Sequence, residues 1–474
     1  MLFNSLHFVI FFIFVTTLYY TINWRLRWIL LLAASAYFYA SFIPAYLLIL
    51  GVVIVIDYAA GIWIENSAGK KRRWILILSL VANVGFLAFF KYFDFLSINF
   101  SALLGFAGQK NQVPLFRELY PSLILPIGLS FHTFQSMSYT IEVYRGNQKA
   151  EKNFGIYALY VLFYPQLVAG PIERPQNVLW QFHKKMEFDW ENIRIGLWMI
   201  AWGLFKKVVI ADRLALVTDH AFGDVAGQNA STLIIAVVFY SFQIYCDFSG
   251  YSDIAIGTAR TMGFKLMTNF RAPYFSASIS EFWKRWHISL STWFRDYVYI
   301  PLGGNRVGKS RLYINTMIVF LLSGLWHGAD WKFIIWGGIH GIYLILAQFM
   351  KGVPWWPASN KNQVSPVVKT FHVIWTFLLV AIAWIFFRAG STAEAIEIIS
   401  VIFDPAAYAV PKIGINGTEF GFCMFLIALL MFKDYYLPDY VPQKPAFWLS
   451  FFTVSFLCYL FGVFNSNQFI YFQF

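Results

Sequence analysis

Long apolar runs separated by short charged segments constrain this chain more than any other feature of its sequence. A helix needs roughly 20 apolar residues to cross a bilayer, and twelve runs approach that length. They cover about 6–23, 27–44, 46–64, 74–91, 121–141, 195–211, 230–247, 313–327, 331–349, 370–387, 418–433 and 446–463. Because some of the shorter runs need not span, we predict an all-α polytopic membrane protein with roughly eleven transmembrane helices.

The charge balance supports this class and argues against nucleic acid as a partner. Only 13% of the residues are charged, against about 25% in soluble domains. The basic residues lie in short loops, a pattern typical of cytoplasmic loops. Clusters follow the first, third and fifth runs: Arg25 and Arg27; 70–73; Arg145, Lys149 and Lys152. We therefore expect an extracytoplasmic N-terminus, and Lys444 before the last run predicts the same for the C-terminus, which requires an even number of spans.

The remaining features predict one membrane domain over residues 1–474. Cys246, Cys423 and Cys458 each lie alone in an apolar run, which indicates small core residues and neither a disulfide framework nor a metal site. The first apolar run lacks a basic start and a small-residue cleavage site, so we interpret it as a retained membrane helix. A further stretch, 155–169, ends in Gly170-Pro171 and is typical of a re-entrant segment.

Residues 260–312 form a long polar and aromatic segment between two apolar runs. Polar groups persist at membrane depth only when they are buried in protein or line a wet cavity. We therefore look for function here and at the apolar run that follows.

His327 ends that run within Ser323-Gly324-Leu325-Trp326-His327-Gly328. Imidazole can accept and return a proton at neutral pH, and the glycines permit close approach of a substrate or of another backbone. From these residues alone, a catalytic histidine and a structural histidine bonded to a carbonyl are equally open.

His287 lies in the centre of Phe282–Phe294, a segment that mixes cations with aromatic rings. Such a segment can lie in the membrane interface with its rings buried and its cations near phosphates. A second acid–base or orienting group and a simple interfacial anchor both remain open for this histidine.

Residues Gly303–Ser310 match the phosphate-binding pattern G-x-x-x-x-G-K-S, and 297–302 before them have strand-like composition. That motif works in a soluble strand–loop–helix unit, whereas the element expected here after the loop is a membrane span. We interpret the segment as a basic glycine-rich cytoplasmic turn that can touch lipid or a coenzyme A phosphate.

Three other polar clusters lie in apolar context. They are Asp247–Asp253; His132 with Gln135, Tyr139 and Glu142, of which the last three follow helical spacing; and 169–175. We favour structural contacts between helices for these clusters, with cavity lining as the alternative. The sequence lacks the motifs of serine hydrolases, zinc proteases and dinucleotide-binding enzymes.

Five motifs, in order along the chain, resemble the membrane-bound O-acyltransferase (MBOAT) family. They are Gly170–Arg174, Asp247–Asp253, Trp283–His287, Tyr299–Gly304 and Leu325–Gly328. They resemble in particular its bacterial branch of alginate and peptidoglycan O-acetyltransferases, and they are similar to the D-alanyl transfer protein of teichoic acid modification. The resemblance implies an MBOAT-like helical bundle with re-entrant or interfacial helices and a central funnel.

The resemblance also implies an activity and a set of site residues. His327 and His287 correspond to the catalytic histidines, and the donor is acetyl-CoA, with no permanently bound cofactor. Its binding is expected at Lys284, Arg285, Arg306, Lys309, Trp286 and Trp326. The terminal segment 469–474 resembles an aromatic motif in which the tyrosine, here Tyr471, is a proposed acyl carrier; an ordinary aromatic anchor is the alternative.

We therefore expect a bacterial inner-membrane O-acetyltransferase that contacts membrane lipids. It would supply acetyl groups to an extracytoplasmic partner of the SGNH type, and a cell-surface polysaccharide would be the final acceptor. D-alanyl or another acyl transfer is one alternative. A transporter of an acyl donor or lipid is the other, although the sequence lacks the paired broken helices of inverted repeats.

Overall fold

The computed structural model describes residues 1–106, 108, 113–119, 128–167, 170–350, 365–464, 469 and 470. Within these residues the regular structure is helical, which confirms the all-α prediction. The first half of the chain forms α1 Leu6–Thr21, α2 Arg27–Ala40, α3 Ala45–Glu65, α4 Gly69–Leu87, α5 Phe93–Phe106, α6 Phe116–Leu119, α7 Leu129–Arg145, α8 Phe154–Leu162, α9 Pro175–Phe182 and α10 Trp190–Leu204. The second half forms α11 Asp212–Gly223, α12 Ala230–Thr261, α13 Ile279–Arg285, α14 Ile288–Phe294, α15 Lys309–His327, α16 Trp331–Met350, α17 Pro366–Arg388, α18 Thr392–Phe403, α19 Gly417–Tyr436 and α20 Lys444–Phe461.

The chain forms two compact units. The first contains Met1–Met199 with Ile254–Met267, and the second contains Ile200–Asp253 with Thr268–Phe474. The prediction of one membrane domain over residues 1–474 stays a prediction.

In the first unit, α3, α4 and α7 pack against one another, and α2 packs against α8. Asp57 of α3 is buried and accepts hydrogen bonds from Ser79 Oγ at 2.7 Å and Asn83 Nδ2 at 2.9 Å, both on α4. Polar bonds of this kind hold helices together where lipid offers no competing hydrophobic force.

In the second unit, α15 and α16 form a close antiparallel pair, and α17 packs on α16. The cysteines Cys246, Cys423 and Cys458 lie buried in its apolar core, as expected for small core residues. In the apolar 18-residue stretch of α12, 83% of the stretch is buried inside the protein, against 11% in the corresponding stretch of α20. Helix α12 therefore serves as a core element, whereas α20 presents most of its surface outward.

Six helices among the described residues are long and apolar enough to cross a membrane. They are Ala45–Glu65, Gly69–Phe106, Ala230–Thr261, Trp331–Met350, Pro366–Arg388 and Lys444–Phe461. Several other predicted runs form helices that are too short or too polar for this measure: α1 has 16 residues, α2 has 14, and α15 begins with Lys309 and Arg311. The chain is thus a multi-pass membrane protein by composition, and these lengths do not confirm a count of about eleven spans.

The polar segment after α12 folds into two short helices, α13 and α14, followed by a π-helix at Arg295–Tyr299. The strand-like interpretation of 297–302 is therefore wrong. The strand that a phosphate-binding loop requires is absent before Gly303, because these residues are helical and then turn. Gly303 and Gly304 have φ of 110° and 54°, which agrees with a glycine-rich turn.

Candidate active site

His287 stands at the junction between α13 and α14. Its backbone has φ 43° and ψ 54°, a left-handed conformation that a non-glycine residue adopts only when its surroundings impose it. Asn269 provides those surroundings, because its carbonyl accepts the Ile288 N–H at 2.9 Å. Strained backbone of this kind concentrates at functional sites.

The side chain of Asn269 also fixes the His287 ring. Asn269 Oδ1 accepts the Ser289 N–H at 3.3 Å and the Ser289 hydroxyl at 2.9 Å, which sets the orientation of the amide. His287 Nδ1 lies 3.1 Å from the same oxygen. An amide oxygen only accepts, so Nδ1 carries the proton and Nε2 is left as the basic nitrogen. Burial lowers the pKa of His287 to about 3, and the ring is therefore neutral at physiological pH.

Aromatic rings enclose His287, which is fully buried. The ring of Phe248, from α12, meets it edge-on with centroids 4.7 Å apart, and Phe270 lies at 6.4 Å. The ring of Trp326, from α15, lies at 6.1 Å. Trp326 directly precedes His327 in the chain, so its contact with His287 brings the two histidines into one neighbourhood.

His327 is the final residue of α15, as the sequence predicted, and only 5% of it is exposed. Its ring packs edge-on against Trp326 at 4.9 Å, Trp336 at 5.0 Å and Phe387 at 5.3 Å. Trp326 therefore contacts both histidine rings. The structure thus brings the two predicted histidines to one aromatic cluster of α12, α14, α15, α16 and α17.

The glycines beside His327 are explained by helix packing. A Cβ on Gly324 would lie 2.2 Å from the backbone oxygen of Phe333, and one on Gly328 would lie 2.1 Å from the Phe333 ring. On α16, a Cβ on Gly337 would lie 2.1 Å from the backbone oxygen of Phe320. Of the two roles that the sequence left open, close approach of another backbone is the one observed.

The predicted donor-binding residues divide into exposed and buried groups. Lys284, Arg306 and Lys309 are exposed, and Arg285 forms an ion pair with Glu281 at 2.7 Å. Trp286 is 1% exposed and stacks on Phe282 with centroids 5.5 Å apart, so its ring is a core group. Tyr471 lies outside the described residues.

A buried charge network in the same unit escaped prediction. Lys207 lies in a π-helix at Phe205–Ala211, and its ammonium contacts Asp212 at 2.7 Å and Asp247 at 2.5 Å. The neighbouring Lys206 contacts Asp253 at 2.7 Å. Two adjacent lysines inside an apolar run were the available signal, since charges in such runs are costly unless paired.

Two further residues escaped prediction for different reasons. Asn269 positions His287 but belongs to no motif, and only its contacts reveal its role. His340 is fully buried, and its ring lies 5.0 Å from that of Trp336, which itself packs on His327. The i, i+4 spacing of Trp336 and His340 on α16 could have indicated a shared face.

The polar clusters of the first unit form internal hydrogen bonds, as a structural role requires. Gln135 donates to the Tyr160 carbonyl at 2.5 Å, and the Tyr139 hydroxyl accepts the Glu151 N–H at 2.9 Å. Glu173 accepts the Met267 N–H at 2.5 Å, and burial raises the pKa of this carboxyl to about 7.

Comparison with known proteins places this site in a family. The model of the MBOAT, membrane-bound O-acyltransferase family, matches residues 149–359. The chain is 38% identical over 424 residues to the probable alginate O-acetylase AlgI of Pseudomonas aeruginosa, covering 88% of this chain and 78% of that protein. The chain belongs to the MBOAT family.

Other MBOAT relatives carry different names. The chain is 37% identical over 425 residues to the peptidoglycan O-acetyltransferase of Helicobacter pylori, covering 82% of this chain and 74% of the relative. It is 28% identical over 267 residues to the teichoic acid D-alanyltransferase of Bacillus subtilis, covering 53% and 67%. Membership makes the chain a membrane-bound acyltransferase, and both histidines lie in the part that the MBOAT family model matches.

Proposed function

We propose that this MBOAT enzyme supplies acetyl groups for O-acetylation of an extracytoplasmic polysaccharide. The acceptor class rests on the relatives named for alginate and peptidoglycan O-acetylation, which the chain matches over more than four fifths of its length. The observation that carries the assignment of the site is the aromatic cluster in which Trp326 contacts the rings of both His287 and His327.

The donor is acetyl-CoA, used as a substrate, with no permanent cofactor. The exposed cations Lys284, Arg306 and Lys309 are available to its phosphates, with Arg285 beside them in an ion pair. The glycine-rich turn before α15 can contribute backbone N–H groups to the same contact. Exposed cations can neutralise phosphates without a defined pocket. We therefore expect each of these side chains to contribute modestly to the affinity for acetyl-CoA.

His327 acts as the general base. It removes the proton from the acceptor hydroxyl while the oxygen attacks the thioester carbonyl, and the coenzyme A thiolate leaves with that proton. The alternative of a transient acyl-histidine is less favoured, because direct transfer needs only one covalent step.

His287 orients the acceptor rather than polarising the thioester. Its Nδ1 proton is committed to Asn269, so Nε2 can accept a hydrogen bond but cannot donate one to a carbonyl. A neutral ring with a fixed tautomer is suited to hold a hydroxyl in place. The assignment gives the two histidines different tasks in one site.

The acceptor hydroxyl in this step is that of Tyr471. The resulting acetyl-tyrosine ester then gives its acetyl group to a hydroxyl of an extracytoplasmic SGNH-type partner, and the proton of that hydroxyl returns to the Tyr471 oxygen. This step rests on the resemblance of the terminal aromatic segment and on its predicted extracytoplasmic position. It fits a bacterial inner-membrane enzyme, in contact with lipids, with both termini outside. Both termini outside also require an even number of spans, so the roughly eleven predicted must become ten or twelve.

D-alanyl transfer is a second candidate, favoured by the identity to the Bacillus subtilis D-alanyltransferase. That match covers 53% of this chain, whereas the match to the alginate O-acetylase covers 88%. We therefore rank acetyl transfer first. Transport without bond formation is disfavoured by membership of an acyltransferase family.

Donor competition tests this ranking. The purified protein in detergent would receive acetyl-CoA, or a D-alanyl thioester of a carrier protein, together with a synthetic peptide of residues 462–474 as acceptor. We expect thiol release and peptide acetylation with acetyl-CoA only. Turnover of the D-alanyl thioester with acetyl-CoA inert would contradict the proposal and favour the second candidate.

A further inference from the structure

Phe469 and Ile470, near the C-terminus of the second unit, are held against α12, where Asp247 provides a buried carboxylate. The backbone N–H of Ile470 donates to Asp247 Oδ2 at 2.8 Å, a buried hydrogen bond across 223 positions of sequence. Phe469 is fully buried, and its ring lies 4.3 Å from that of Tyr251 and 5.7 Å from that of Phe248. Residues near a chain terminus are poorly ordered unless specific contacts tie them down, and these contacts tie down Phe469 and Ile470.

Lys207 holds the carboxylate in place. Its ammonium contacts Asp247 Oδ1 at 2.5 Å and Asp212 at 2.7 Å, and all three side chains are at most 5% exposed. One ammonium therefore faces two carboxyl groups, and the N–H of Ile470 is a further donor to Asp247. A backbone N–H bonded to an ionised carboxylate forms a charge-assisted bond.

The π-helix around Lys207 provides a second attachment. The N–H of Val463 donates to the Val208 carbonyl at 2.8 Å. A π-helix departs from the i→i−4 pattern, and such departures are frequent at functional sites. Val463 is thus bonded to the residue after Lys207, and Ile470 is bonded to Asp247, the partner of Lys207.

The anchor lies one aromatic ring away from the active site. Phe248 contacts Phe469 on the C-terminal segment and also meets the His287 ring at 4.7 Å. Asp247 and Phe248 are adjacent in α12, so the carboxylate that binds Ile470 and the ring that packs on His287 lie on the same turn of one helix. In the sequence Ile470 directly precedes Tyr471.

We propose that Asp247, fixed by Lys207, is a positioning residue that docks Phe469 and Ile470, the residues directly before Tyr471, beside the His287 side of the active site. The docking itself depends only on the contacts above. Its consequence for acyl transfer rests on the proposed function. Asp247 does not touch the reacting atoms in this account; it acts through Ile470 and Phe248.

Cysteine accessibility tests the docking. Ile470→Cys keeps the backbone N–H and would be placed in a protein whose three native cysteines, all buried, are replaced by alanine. We expect slow maleimide labelling at position 470 in this parent and a rise of about tenfold or more with Asp247→Ala, because a bond to a charged group is lost. Asp253→Ala is the matched control, since Asp253 pairs with Lys206 and makes none of the contacts to Phe469 or Ile470 described above; its labelling rate should equal the parent's.

A second variant protects the test against misfolding of Asp247→Ala. Ile470→Pro removes the donor of the same bond from the other side, and Ile470→Val is its control because it keeps the N–H. With the reporter cysteine at position 469, we expect labelling about tenfold faster in the proline variant than in the valine variant. Equal labelling rates in this pair, or equal rates in Asp247→Ala and the parent, would overturn the proposal.

The enzymatic arm separates this proposal from the proposed function. With Asp247→Ala, which leaves no acceptor for the Ile470 N–H, we expect acetylation of the chain's own Tyr471 to fall about tenfold or more, with the KM for acetyl-CoA unchanged. A rise in that KM with an unchanged rate of acetylation would contradict a positioning role. If the wild type does not turn over acetyl-CoA, the proposed function fails, while the labelling rates still decide the docking.

Discussion

Asp57 in the first unit and the pair Asp212 and Asp247 in the second are buried carboxyl groups that are satisfied in different ways. In the first unit, Asp57 accepts hydrogen bonds from the neutral side chains of Ser79 and Asn83. In the second unit, Asp212 and Asp247 share the ammonium of Lys207. The first arrangement joins α3 to α4, and the second ties the C-terminal segment to the helix that forms one wall of the His287 site.

The energetic consequences of these arrangements differ. A buried carboxyl group that is bonded only to neutral donors can be replaced by another hydrogen-bonding group at small cost. Each such hydrogen bond contributes about 1 kcal/mol to stability. A buried ion pair becomes strongly unfavourable when one partner is removed, because the remaining charge stays buried without compensation. At these carboxyl groups, ion pairing lies beside the candidate active site of the second unit, whereas neutral hydrogen bonding joins α3 to α4 in the first.

The largest expected contrast is between Lys207→Met and Asp57→Asn. Removing the ammonium leaves two buried carboxylates without their cation, which should cost about 3–5 kcal/mol or prevent folding. Asparagine at position 57 keeps an acceptor for Ser79, and we expect a cost of about 1 kcal/mol. Thermal unfolding in detergent measures the loss of stability in both variants. Equal losses would mean that Asp57 and the pair Asp212 and Asp247 are stabilised in the same way.

Glycine packing sharpens the comparison within the second unit. A Cβ at Gly324 would meet a backbone oxygen at 2.2 Å, whereas one at Gly338 would make an ordinary contact at 3.6 Å. We expect Gly324→Ala to cost about 1–3 kcal/mol through overpacking and Gly338→Ala to be close to neutral. An equally mild effect of both substitutions on the unfolding temperature would contradict the close packing of α15 on α16.

Buried asparagines test where the activity is located. Asn269→Ala removes the bond that fixes the His287 tautomer, so acyl transfer per folded molecule should fall about tenfold or more. Asn83→Ala in the first unit should lower stability while leaving that specific activity unchanged. Specific activity after correction for folded fraction is the measurement, and an equal loss in both variants would remove Asn269 from the site.

Glu173 gives a pH dependence of the first unit, whose effect is small at any one pH step and accumulates over the range. Burial raises the pKa of this carboxyl from 4.5 to about 7. Its stabilising contribution is therefore complete below about pH 4.5 and is lost as pH rises toward 7, with a slope of at most about 1.4 kcal/mol per pH unit. Glu173→Gln should remove this slope between pH 4.5 and 7. A slope unchanged in the variant would assign the pH dependence to other groups.

The sequence predicts the helices well, for identifiable physical reasons, and the catalytic role of the two histidines stays a prediction. Apolar runs fix the approximate bounds of helices such as α3, α16 and α17, and His327 ends α15 because the run ends there. The number of spans is less accessible, since α1 and α2 are shorter than their apolar runs suggest.

The partners of the histidines could not be predicted, because they depend on contacts between distant segments. Asn269 precedes His287 by 18 residues, and Asp247 binds a backbone N–H 223 residues away. Trp286 stands directly beside His287 in its motif, yet its ring belongs to the core. Composition indicates which residues can act chemically, whereas packing decides which of them face one another.

Acetyl transfer by matched histidine variants tests the central claim most directly. Wild type, His327→Ala and His132→Ala would be purified in detergent and given radiolabelled acetyl-CoA with a peptide of residues 462–474. His132 is a buried histidine of α7 in the first unit, so it controls for loss of a buried ring. We predict label on the peptide with wild type and His132→Ala, and a loss of about 10²-fold or more with His327→Ala. Undiminished labelling by folded His327→Ala would contradict the assignment of the active site to the second unit.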